Sequence, residues 1–105
     1  MKVKVCGVGK IPPDGAAAFD VNGTKVCVAN VGDAFFAVED TCTHAEASLS
    51  EGYVDVAEVA IECPLHNAVF SLRTGEALEF PAEDAVKAFP VSVEDEALYI
   101  EMPEA

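Results

Sequence analysis

Basic residues are scarce in this chain. Six Lys and Arg stand against nineteen Asp and Glu, a net charge of −13 over 105 residues. From Val26 to Leu72 there is no Lys or Arg beyond position 25, while Glu39, Asp40, Glu46, Glu51, Asp55, Glu58 and Glu62 all fall there. This balance argues against nucleic acid as a partner, because phosphate binding rests on basic side chains, and it disfavours anionic membrane surfaces. It suits a basic protein partner found by electrostatic steering, with the acids a solvated face first and a docking face second. Long apolar runs are missing as well. No segment nears the ~18 residues that a membrane span needs, and the lysines of Met1-Lys2-Val3-Lys4-Val5-Cys6-Gly7 lead into no apolar stretch of the secretory kind. The expectation is a soluble, cytoplasmic protein with no membrane contact of its own. Also absent is any Gly-rich phosphate loop. Histidine is scarce too: there are two, and each lies a short step downstream of a cysteine.

What is present is globular in character, with 51% apolar and 24% charged residues. The length supports one domain, residues 1–105, with a single modest core. Four cysteines without an export signal read as metal or catalytic residues more readily than as a disulfide framework.

Short strands account for most of the chain. Lys2-Val3-Lys4-Val5 alternates polar and apolar. Pro12-Pro13-Asp14-Gly15 breaks the chain, and Ala17 to Val21 and Thr24 to Asn30 flank Asn22-Gly23, a strong hairpin signal. Val31-Gly32-Asp33 is another break before the strand Phe35 to Val38. From Asp40 to Gly52 the alternation fails. Tyr53-Val54, Val59 to Glu62 and Ala68 to Leu72 read as strands, the last ending at Arg73-Thr74-Gly75. Cys63 to Asn67 and Phe80-Pro81-Ala82 read as loops. Val86 to Val93 and Ala97 to Met102 finish the pattern around Glu94-Asp95-Glu96, and a helix has room only briefly within Pro81 to Ala88. Ten or so short strands predict an all-β fold, a small antiparallel β sandwich or barrel.

The chemistry concentrates between Cys42 and His66. Cys42-Thr43-His44 and Cys63-Pro64-Leu65-His66 are separated by eighteen residues. Residues two or three apart on a turning loop aim at one small object, so two such loops clamp a site from both sides. Zinc and iron–sulfur clusters both accept an S₂N₂ donor set. Zinc modules usually pair Cys with Cys and His with His, whereas mixed pairs on two loops suit a two-iron cluster. A Cys-His nucleophile would leave the second pair unexplained. Cys6 and Cys27, in apolar strand-like segments with no histidine near, read as core thiols. Phe35, Phe36, Phe70, Phe80 and Phe89 read as core or loop packing, Phe70 and Pro81 also as shields against water.

These boxes, with Phe70 and Arg73-Thr74-Gly75 downstream, resemble the Rieske [2Fe–2S] proteins, notably the small ferredoxins of bacterial ring-hydroxylating dioxygenase systems. The resemblance implies a small antiparallel β domain with a cluster-binding subdomain of two β-loops, about residues 40–82, and Phe80-Pro81-Ala82 as a third loop over the cluster. It implies one [2Fe–2S] cluster per chain, with Cys42 and Cys63 on the inner iron and His44 and His66 on the outer one. Neutral imidazoles in place of thiolates raise the potential, the family spanning roughly −150 to +300 mV. The inter-loop disulfide of respiratory members is ruled out by Ala47 and Leu65. Ala68 and Phe70 replace the Ser and Tyr that donate hydrogen bonds to sulfur there, which places the potential at the low end. Ala45 and Asn67 stand where the family often has Gly.

The implied role is that of a non-enzymatic one-electron carrier, a monomer. It would take electrons from a flavin-containing ferredoxin reductase and pass them to the terminal oxygenase of an aromatic ring-hydroxylating dioxygenase system. The alternatives are a small Rieske subunit of a larger oxidoreductase such as nitrite reductase, and a zinc-stabilised interaction domain.

Overall fold

Three hairpin turns set the architecture, each at a residue pair with positive φ. Asn22 and Gly23 take φ of 50° and 84°, Gly32 and Asp33 take 55° and 69°, and Asp95 and Glu96 take 49° and 63°. Two positive φ values in succession match the right-handed twist of the strands that they join. Side chains help: Asp20 Oδ1 accepts the Gly23 N–H at 3.0 Å, and Asn30 Oδ1 accepts the Asp33 N–H at 3.0 Å. The computed structural model describes residues 1–41, 47–65, 68–79 and 84–103.

Eleven strands appear among the described residues, and no α-helix. In chain order they are β1 (Lys2–Gly7), β2 (Ala16–Val21), β3 (Thr24–Val31), β4 (Ala34–Glu39), β5 (Tyr53–Asp55), β6 (Ala60–Glu62), β7 (Val69–Ser71), β8 (Ala77–Glu79), β9 (Ala88–Phe89), β10 (Val91–Glu94) and β11 (Ala97–Glu101). Short 3-10 turns occupy Val8–Lys10 and Leu49–Glu51. The strands make three antiparallel sheets, ordered β1-β11-β10, β2-β3-β4-β9 and β5-β6-β7-β8. This is the all-β, antiparallel architecture that the strand pattern predicts.

Strand β3 lies at the centre of the packing. Because alternate side chains point to opposite faces, Val26 and Val28 join Leu98, Ile100, Phe89 and Ile11 on one side. Cys27, Ala29 and Val31 join Val38, Leu49, Ile61, Cys63, Ala68, Phe70, Leu72 and Val86 on the other. Both faces are covered, so its sequence runs apolar without a break from Val26 to Ala29. Cys27 is fully buried, as a core thiol should be, whereas Cys6 is only half-buried and packs at the edge of the first cluster.

Some expectations change. The brief helix within Pro81 to Ala88 does not form over the described part, 84–88, which runs as irregular chain into β9. Val86 to Val93 is not one strand, because Pro90 splits it. Proline has no N–H for the ladder, so β9 pairs with β4 and β10 pairs with β11 in another sheet. Strand β8 is an addition, paired with β7 through a bulge.

Candidate metal centre

The second Cys/His segment is the tip of a hairpin. Strands β6 and β7 pair from Ala60↔Ser71 to Glu62↔Val69, and the Cys63 N–H donates to the Ala68 carbonyl at 2.7 Å. Cys63 is therefore the last residue held in register before the turn. It has no solvent exposure, while Leu65, two residues on, is 49% exposed. The chain thus climbs from core to surface within one turn. Beneath Cys63 lies the apolar cluster of Leu49, Ala68, Phe70, Val86 and Cys27.

The first segment is flanked by Asp40-Thr41 on one side and Ala47-Ser48 on the other. Thr41 and Ser48 pair as an isolated antiparallel bridge, and the Leu49 N–H donates to the Asp40 carbonyl at 2.7 Å. The Leu49–Glu51 turn ends at Gly52, where a Cβ would overlap the Glu62 carbonyl oxygen, so the two hairpins approach there at backbone distance. The return of the third segment sits beside both. The Val86 N–H donates to the Gly75 carbonyl at 2.9 Å, the Glu39 N–H to the Lys87 carbonyl at 2.9 Å, and the Lys87 N–H to Glu39 Oε1 at 2.7 Å. The described flanks of the three segments therefore lie side by side.

Of the four candidate ligands, Cys63 is described. Cys42, His44 and His66 lie outside the described residues, as do Ala45, Asn67 and Phe80-Pro81-Ala82. Among the described residues, no three His, Cys, Asp or Glu converge on a metal. Cys63, the one member of the donor set among the described residues, is a soft sulfur donor without solvent exposure in an apolar cluster, and so fits a buried iron–sulfur ligand.

Electrostatics around the hairpins are acidic. Asp55, Glu58 and Glu62 line a cleft of about 500 Å³ with Val69 and Leu78. The acidic face is not uniform, however: Asp40, read from the sequence as one of its members, is wholly buried. Its position at the end of a strand, immediately before the loop, was the available signal. Ser71 is a second buried polar residue that composition does not reveal. Its Oγ accepts the Arg73 and Thr74 N–H groups at 3.2 and 3.3 Å, closing the turn on which Arg73 stacks over Phe36, 5.6 Å from the ring centre.

A family model described as the Rieske [2Fe-2S] domain matches residues 1–90. The 3-phenylpropionate/cinnamic acid dioxygenase ferredoxin subunit of Escherichia coli K12 is 40% identical over 104 residues, which cover 99% of this chain and 96% of that protein. The ferredoxin of carbazole 1,9a-dioxygenase from Nocardioides aromaticivorans IC177 superposes with a TM-score of 0.91 at 35% identity, covering 95% of this chain and 96% of that one. A carbazole 1,9a-dioxygenase structure described as a complex of reduced oxygenase and oxidized ferredoxin matches with a TM-score of 0.85 at 37% identity, covering 94% and 91%.

Proposed function

Because the chain belongs to the Rieske [2Fe-2S] domain family, we propose that it is the ferredoxin of an aromatic ring-hydroxylating dioxygenase system. In this reading it carries electrons singly from a flavin-containing reductase to a terminal oxygenase and transforms no substrate itself. The observation that carries the reading is the 40% identity to a dioxygenase ferredoxin subunit over nearly the full length of both chains. The description of a similar ferredoxin in complex with its oxygenase supports the second half of the route.

The proposed ligands are Cys42 and Cys63 on the inner iron and His44 and His66 on the outer iron, one cluster per chain. When bound, the cluster supplies a one-electron couple. Each residue around it has a task of its own. Cys63, held by its N–H to Ala68, presents a thiolate from inside the apolar floor. Phe70, Leu49 and Val86 exclude water from below, all of them buried. Leu65 leaves the tip of the second hairpin open to a partner. Asp55, Glu58 and Glu62 offer negative charge to a basic docking surface.

The same proposal treats residues 1–105 as a single Rieske domain, with the cluster-binding part at about 40–82, working as a monomer in the cytoplasm. No described helix is long and apolar enough to cross a membrane. Visible absorption and low-temperature EPR of the reduced protein test the proposal, together with iron and acid-labile sulfide analysis. Expected are equal iron and sulfide and a rhombic signal from a mixed-ligand cluster. Colourless protein holding zinc without sulfide would overturn it.

A further inference from the structure

Asp40 is a charged residue placed where charges are rarely found. Its side chain has 0% exposure at the step from β4 into the first Cys/His loop. Oδ1 accepts the Ser50 N–H at 2.9 Å. Its backbone works in the same direction: the carbonyl accepts the Leu49 N–H at 2.7 Å, and the N–H donates to the Lys25 carbonyl at 3.0 Å. Oδ2 is also buried and takes no hydrogen bond from the described residues. The Lys25 ammonium stands 3.8 Å from it and reaches Ser48 Oγ at 3.4 Å. Lys25 is the last basic residue before Arg73 in the sequence.

These contacts converge on the two ends of one loop. Residue 40 is the loop's point of departure, and residues 48–50 are its point of return. Asp40 therefore ties the return of the loop to its origin with both its main chain and its side chain, while Lys25 crosses from β3 to brace both ends. Burying a carboxylate is costly unless the group is used, and a neutral residue at the edge of a strand would avoid the cost.

We propose that Asp40 is a positioning residue for the first ligand loop: it clamps the entry and exit of that loop together and thereby fixes where Cys42 and His44 meet the metal. The inference rests on the ligand assignment of the preceding section. Partners that orient metal ligands from behind are worth about 10–100-fold in metal affinity.

The test uses the iron-loaded protein. Iron release to bathophenanthroline is followed at the visible band of the cluster, and visible circular dichroism reports the cluster's surroundings. Asp40→Ala should release iron about 10–100-fold faster than wild type, with an altered visible dichroism. Asp40→Asn, which keeps an acceptor for the Ser50 N–H, should stay near the wild-type rate. An Asp40→Ala protein with wild-type release and dichroism overturns the proposal, and so does an Asn variant as labile as the Ala variant. If Asp40→Ala does not fold, amide exchange in the wild-type holoprotein decides. Protection of the Ser50 N–H comparable with that of Gly52 is expected, and free exchange at Ser50 overturns the clamp. Iron-loaded wild type indifferent to Asp40 defeats this inference alone, whereas wild type that holds no iron defeats the ligand assignment along with it.

Discussion

Cys27 sits in the middle of β3 without exposure, and its thiol has lost the solvent that would stabilise a thiolate. Burial pushes its pKa well above the ordinary value of 9.0, and the neighbouring Asp40 carboxylate adds to the shift. In the unfolded chain the thiol ionises from about pH 9, while in the folded chain it keeps its proton. The folded state then binds more protons, so stability falls as pH rises above that value. The contribution approaches about 1.4 kcal/mol per pH unit. Unfolding free energies measured from about pH 8 to 11 should fall more steeply for wild type than for Cys27→Ala; parallel curves would show a thiol that ionises freely in the fold. At Ala68 the residue-scale question concerns potential. Ala68 is fully buried and its carbonyl receives the Cys63 N–H, but it has no hydroxyl to donate. A hydrogen bond to a charged acceptor is worth about 1.5–3 kcal/mol, an upper bound of about 60–130 mV for one electron. Redox titration should place wild type at the low end of the roughly −150 to +300 mV range, and Ala68→Ser above it by up to that amount. A wild-type potential well above zero would contradict the argument from missing donors.

The elements meet through backbone as much as through side chains, and Gly75 is where this matters most. It takes a φ of 82°, and a Cβ there would overlap the Val86 carbonyl oxygen. Gly23 has nearly the same φ, 84°, but open space around it. Gly23→Ala should therefore cost only the left-handed strain, about 1 kcal/mol. Gly75→Ala adds the displacement of Val86 and should cost about 2–3 kcal/mol or more. Denaturant unfolding of the two variants separates the terms, and equal losses would mean that the Gly75–Val86 approach relaxes at no cost. The same positions show how far the sequence can be read. Asn22-Gly23 announced its hairpin because the turn chemistry is local, and the alternation of β1 followed the face that it buries. Strand β8 was hidden because Ala77 to Glu79 is too short to show a period. Pro90 divides Val86 to Val93 between two sheets, and the assignment of each half depends on partners far away in sequence. At the candidate site the Cys/His spacing was legible outright. The clamp at Asp40 was not, because composition places an acid in a run of acids on the surface, and only the packing of Leu49, Ser50 and Lys25 around it shows otherwise.

At the scale of the whole molecule the dominant quantity is charge. A net −13 on 105 residues is a field that a partner meets before any contact forms. Its distribution gives it direction, since Asp55, Glu58 and Glu62 gather on the hairpin sheet that also carries Cys63. Tyr53 and Leu78 are exposed on strands of the same sheet, 70% and 46%, so apolar surface is available once the charges have brought a partner in. Steering of this kind raises association rates by about 10–10³, and salt removes it as the Debye length shrinks from about 10 Å at 0.1 M to about 3 Å at 1 M. The second-order rate of electron delivery to a terminal oxygenase should therefore fall about tenfold or more over that range. A Glu58→Gln, Glu62→Gln double variant should start lower and show a shallower salt slope, because two of the screened charges are already gone. The low-salt rate separates the acidic sheet from the rest of the field. If the double variant matches wild type at every ionic strength while both decline with salt, the steering comes from charges elsewhere on the chain. A rate flat in salt for both proteins would mean that docking is governed by the apolar contact alone.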